Sequence, residues 1–362
     1  MSEIQDILVY VGTYTRGESK GVYIYRLNRE NGGLEPLGYG QCKSSPSYLA
    51  FDPSYHYLYA ANEIGEFQDK RQGALAVWSV DQESGQLDFI NQSATGGPGP
   101  CYVAIEATGK YAFAANYSGG SAAMVPINED GSLAPASDFV QHEGSSVLTR
   151  RQAQAHAHSC TIDPTNQYAL VCDLGMDKIM VYKMDLENGK LVPNDTPFAK
   201  LHGGAGPRHF CFSPDGRFGY VINELDSTVT AFSYDADKGT LETIETVSTL
   251  PDGWEGESYC ADIHMLSSAK FLYGSNRGHD SIVIFAVDQE TGKLTCVGYE
   301  STQGKFPRNF CIDPTETFLL AANQNTDNII SYRIDQETGA LTPTGEETKV
   351  PIPVCIKMWA RS

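Results

Sequence analysis

PRHFCFSPDGRFGYVINE, residues 207–224, holds two short runs of alternating side chains around a Pro-Asp-Gly turn. Period-two alternation, aromatic and β-branched residues and a glycine-bearing turn read as an antiparallel β-hairpin. The frame returns as PSYLAFDPSYHYLYAANE (46–63), PCYVAIEATGKYAFAANY (100–117), AHSCTIDPTNQYALVCDL (157–174), CADIHMLSSAKFLYGSNR (260–277) and PRNFCIDPTETFLLAANQ (307–324). YVGTYT, residues 10–15, matches the second strand alone. That makes seven copies at intervals of about 50 residues, a period that belongs to repeat architectures.

Each copy continues into a third strand, such as ALAVWSV or SIVIFAV, then a polar turn such as DQESGQ or DQETGK, then a fourth strand. Seven units of four strands predict an all-β fold: a seven-bladed β-propeller of four-stranded antiparallel blades, one domain over residues 1–362. The first copy lacks its first strand, and VCIKMWA, residues 354–360, follows the last complete unit. This spare strand is expected to become the innermost strand of the first blade, so that Val354–Trp359 pairs beside Tyr10–Thr13 and closes the ring.

The formal net charge of -19 and a pI near 4.7 repel phosphate backbones and anionic lipid, so neither nucleic acid nor membrane is an expected partner. Nine scattered cysteines without a C-x-x-C pair read as free thiols of a reducing compartment. No stretch reaches transmembrane length, and the N-terminus lacks a basic, apolar leader. A cytoplasmic protein is expected.

Aligned on the turn proline, the starts of the first strands are Ser47, Cys101, His158, Arg208, Ala261 and Arg308. The position after each second strand holds Tyr14, Glu63, Tyr117, Leu174, Glu224, Arg277 and Gln324. In a propeller both positions ring one channel mouth, so residues distant in sequence converge there. Small side chains suit a strand start, and His158, Arg208 and Arg308 depart from that. Arginines gathered in so acidic a chain suit an anion. His156 and His158, two apart, would share a strand face. Zinc would need a third ligand, and Cys101 brings none, so neither metal nor cofactor is expected. His209 reads as a packing residue or one behind the site, His264 as a satisfied core histidine, and Cys160, Cys172, Cys211 and Cys311 as buried fillers.

On these residues the chain resembles the seven-bladed lactonase family, which includes propeller-type 6-phosphogluconolactonase and carboxy-cis,cis-muconate cyclase. The resemblance runs from YVGTYT to the C-terminus through HAHS (156–159), GPRH (206–209), INE (222–224) and SNRG (275–278). It implies a catalytic group of His158, Arg208, Glu224 and Arg277. The ring of neighbours supplies His156, Arg308, Glu63, Tyr117 and Gln324 for substrate binding. Lactone hydrolysis needs a base for water, and a histidine of ordinary pKa, about 6.5, suits that task. It also needs positive charge where the carbonyl becomes an oxyanion, which arginines provide. The expected partner is a small anionic lactone or sugar acid, phosphorylated forms such as 6-phosphogluconolactone included. A lactonising cyclase or isomerase, and a non-catalytic propeller scaffold, remain as alternatives.

Overall fold

The computed structural model describes residues 4–361; residues 1–3 and 362 of the expected domain lie outside them. The strands form seven four-stranded antiparallel sheets, as the repeats predict. Blade 1 joins residues 6–41 to 353–361, and blades 2 to 7 begin at Pro46, Pro100, Ala157, Pro207, Tyr259 and Pro307. Among the described residues there is no α-helix.

Burial follows position in the blade. Second strands such as Phe218–Asn223 are buried throughout, and outer strands such as Leu34–Gln41 are largely exposed. Blades pack face to face, so the middle strands are apolar on both sides, and only the outer ones carry polar residues to solvent. Tyr220, Ile222 and Val229 of blade 5 thus meet Leu272, Val283 and Phe285 of blade 6.

The hairpin turns double as clasps between blades. In DQESGQ, DQETGK and DQETGA the aspartates Asp81, Asp288 and Asp335 accept backbone N–H bonds from the residues two and three positions further on. Gly85, Gly292 and Gly339 then turn the chain at φ of 72–73°. Their carbonyls receive the phenol O–H of Tyr10, Tyr220 and Tyr273 from the preceding blade at 2.8–3.0 Å.

Closure is as expected. Leu8 pairs with Trp359, Tyr10 with Lys357 and Gly12 with Cys355, and the Arg361 guanidinium bonds the Asp6 carboxylate.

Every innermost strand carries a register irregularity near its start. The unpaired residue is Ser47, Cys101, His158, Arg208 or Arg308, and in blade 1 Val354; in blade 6 both Ala261 and Asp262 fall inside it. A bulge re-aims a side chain and bends its strand. The slot that stood out in the sequence is therefore the bulged position. One consequence corrects a sequence expectation: His156 precedes the strand Ala157–Ile162 and His158 is the bulge, so plain alternation does not relate the two.

Candidate active site

The bulges and the ends of the second strands surround a cavity of about 430 Å³, within the range of small-molecule sites. All seven blades contribute to it. Blade 1 supplies Tyr14, blade 2 Glu63, blade 3 Cys101 and Tyr117, and blade 4 His158. Blade 5 supplies Glu224, blade 6 Tyr259 and Arg277, and blade 7 Arg308 and Gln324, with Arg16, Arg151 and Phe306 from connecting loops.

Glu224 is the hub. Its Oε2 meets Arg277 at 2.7 Å, Arg208 Nε at 3.1 Å and His158 Nε2 at 3.8 Å, while Oε1 accepts from Arg151. Burial alone would raise this carboxyl, but the guanidiniums of Arg277, Arg208 and Arg151 outweigh it and hold Glu224 well below the usual range. His158 is 3% exposed. Burial first, and then Arg208, push its pKa well below 6.5, so the ring is neutral at neutral pH. The ordinary histidine pKa expected from the sequence is thereby corrected. The Cys101 thiol lies 3.6 Å from His158 Nδ1 and donates to the His158 carbonyl at 3.2 Å. Burial raises that thiol's pKa far above neutrality, so it is no nucleophile.

Arg208 is 2% exposed and lies behind Glu224, outside the cavity lining. It donates to the Ala261 carbonyl on the open edge of the next blade's inner strand. Burial and the neighbouring Arg308 and Arg277 bring its pKa down to about 10. Beneath it, His209 lies 3.2 Å from Arg208 Nη1 and bonds Asp262 through Nδ1 at 2.7 Å. Asp262 also receives His264 at 3.0 Å and Asn309. His209 thus stands behind the site, as read from the sequence. His264 is satisfied, but its side chain is 30% exposed and lies outside the core. Cys160 and Cys172 are buried, whereas Cys211 and Cys311 are only partly so.

The facing wall is Arg308, 3.9 Å from Glu63 and above the Tyr14 ring. Tyr14 donates to Glu63 at 2.9 Å. Arg277 lies over Phe306. His156 lines no part of the cavity: its ring stacks on Tyr117 at 4.6 Å, and Nδ1 bonds the Tyr117 carbonyl at 2.9 Å. Gln324 bonds the neighbouring Asn325 side chain at 3.0 Å.

Sequence reasoning missed Arg151. It sits on the connection between blades 3 and 4, bonds the Tyr117 hydroxyl at 3.3 Å and lies over Tyr259. Asp177 anchors that connection by accepting from Ser146, Gln152 and the backbone of Gly204 and Gly206. No repeat covers this loop, so no alignment of blades exposes the residue. In the lining, the guanidiniums of Arg16, Arg151, Arg277 and Arg308 face the carboxylates of Glu63 and Glu224. The cavity is positive in a chain of formal net charge -19.

Residues 8–358 match the family described as lactonase, 7-bladed beta-propeller. A 6-phosphogluconolactonase of Bacillus subtilis is 37% identical over 349 residues, covering 96% of this chain and 97% of its own. A 6-phosphogluconolactonase of Formosa agariphila is 33% identical, covering 85% and 86%. The structure of a periplasmic gluconolactonase from Pseudomonas aeruginosa superposes with a TM-score of 0.93 at 35% identity, covering 98% of this chain and 99% of that one. The chain belongs to the seven-bladed propeller lactonase family.

Proposed function

We propose, starting from this family membership, that the protein hydrolyses a sugar-acid lactone in the cavity around Glu224, with 6-phosphogluconolactone as substrate. The observation that carries the reading is Glu224 shared by three guanidiniums beside a neutral, buried His158. A neutral imidazole takes a proton from water. The water oxygen adds to the lactone carbonyl, and Arg277 and Arg308 stabilise the oxyanion. Collapse breaks the bond from carbonyl carbon to ring oxygen. The imidazolium returns its proton to that oxygen, leaving the open hydroxy acid, which ionises in water. Arg208, buried behind Glu224, acts as a positioning residue.

The excess of arginines at the rim supports a phosphate on the substrate, which Arg151 and Arg16 would meet. In this proposal residues 1–362 act as one propeller domain. Nine free cysteines support a cytoplasmic location. The test is acid release from 6-phosphogluconolactone and unphosphorylated gluconolactone, measured against spontaneous opening, with ultraviolet absorbance followed for carboxymuconate. Preference for the phosphorylated lactone is expected. Equal or better turnover of gluconolactone would remove the phosphate from the reading, and activity on carboxymuconate alone would replace hydrolysis with cyclisation.

A further inference from the structure

Below the bulges the channel is stoppered. Tyr48 and Tyr102 stack at 4.0 Å, and the edge of His209 meets both rings at 5.6 and 5.3 Å. Two separate hollows, with no lining residue in common, lie on either side of these rings. Two residues further along the inner strands, each blade presents one partly exposed side chain: Ala50, Ala104, Thr161, Cys211, His264, Cys311 and Lys357. The two alanines leave a hollow of about 420 Å³ beside Lys357, roofed by Tyr48 and Tyr102 and walled by Phe51 and Tyr55.

One cation without a carboxylate partner among the described residues borders this hollow. The Lys357 ammonium has one hydrogen-bond partner among the described residues, Tyr48 Oη at 3.5 Å, and no carboxylate within 4.0 Å. Its Nζ otherwise lies 4.8 Å over the Tyr48 ring. Tyr48 is 6% exposed. Its hydroxyl and that of Tyr102 lie within hydrogen-bond reach of each other, with Tyr102 as donor. The nearby carboxylates are committed elsewhere. Asp52 holds Tyr57 N at 2.6 Å and Ser54 N at 2.9 Å, and Asp262 holds His209, His264 and Asn309. An ammonium group without a carboxylate partner favours an anionic guest. The walls set its shape. Phe51 and Tyr55 lie 5.1 Å apart, and Tyr55 stacks on Trp359, presenting apolar faces to a flat ring.

We propose that this opposite mouth is a second binding site, separate from the Glu224 cavity, for a small carboxylate carrying a flat apolar ring. Its carboxylate receives Lys357, and its ring occupies the space that Ala50 and Ala104 leave. The inference does not depend on the reaction proposed above.

Benzoate is the probe, with acetate and inorganic phosphate as controls. Calorimetry on the full chain is expected to give one benzoate site with Kd about 1 mM or tighter, and at least tenfold weaker binding for acetate and phosphate. Lys357→Met should weaken benzoate at least tenfold. Ala104→Leu, which fills the hollow without touching a charge, should do the same if the first variant fails to fold. Arg308→Ala, in the other cavity, should leave benzoate affinity unchanged. Anomalous scattering from soaked 4-iodobenzoate should place iodine beside Tyr55. Iodine at the Glu224 cavity alone, or at neither mouth, would overturn the proposal. So would benzoate affinity that ignores Lys357→Met but falls with Arg308→Ala. Phosphate binding as tight as benzoate would overturn the ring-bearing carboxylate as the guest.

Discussion

His158 sits against one carboxylate and several guanidiniums, and its chemistry follows from that crowd. A base must be neutral to take a proton, and burial keeps this ring neutral well below pH 6.5. On the proposed mechanism kcat/KM stays level across the neutral range and declines only well below pH 6.5, once uncatalysed opening is subtracted. A profile rising through pH 6.5 would assign the proton transfer to another group. His158→Ala should lower kcat/KM by roughly 10²-fold or more. His156→Ala should cost less, because its ring braces Tyr117 and does not line the cavity. Arg151 makes a sharper test of substrate choice. Arg151→Gln is expected to raise KM for 6-phosphogluconolactone about tenfold while changing KM for gluconolactone less than threefold. Equal effects on both would leave Arg151 as a partner of Glu224 alone. His158, Arg208 and Arg308 were legible because they break the pattern of a repeated slot. Arg151 has no repeated slot to break. Asp262 stayed hidden because the irregularity in blade 6 spans two residues, so the aligned position falls on Ala261.

Strands and turns follow directly from alternation, aromatic content and Asp-x-x-x-Gly turns, so the blades were legible almost to the residue. Bulges were not. A bulge is a relation between two strands, and a single strand read alone shows no extra residue. Comparing blades found the position without revealing its conformation. The connection from His142 to His156 brings Arg151 to the cavity, and it is held by a few polar anchors. At one end His142 lies between the Asp173 carboxylate at 2.7 Å and the Tyr182 hydroxyl at 2.9 Å. At the other, Asp177 gathers four donors from a backbone at φ 52°. Asp177→Asn keeps a residue that tolerates this conformation but removes charge and acceptor capacity. The expected result is a lower melting temperature, faster proteolysis between residues 142 and 156, and a raised KM with kcat changed only a few-fold. Unchanged KM would mean that the loop holds Arg151 in place without this anchor.

For the whole molecule, burying neutral histidines beside ionised carboxylates sets a direction for acid stability. The His209 pKa falls to about 3 through burial and Arg208, and His158 is also lowered, so below pH 6.5 the unfolded chain binds protons that the folded one refuses. Their contribution is full above pH 6.5 and is lost as pH falls toward 3. Glu224 and Asp262, held low in the fold, lose theirs in the acid part of the same range. The urea midpoint should therefore drop steadily from pH 7 to pH 4, and His209→Gln should flatten part of that slope. A midpoint independent of pH over this interval would contradict the buried neutral state. The closed ring carries a consequence for synthesis. The strand that completes blade 1, Pro353–Arg361, bonds residues some 355 positions earlier. A ribosome therefore releases the first sheet's missing strand after all the other described strands of the ring. Until then the nascent chain carries an unpaired apolar edge along Asp6–Thr13, a template for joining other chains. Transcripts cut upstream of codon 353 should yield aggregates rather than a smaller soluble ring, and a peptide of residues 353–361 supplied during translation should rescue part of the product.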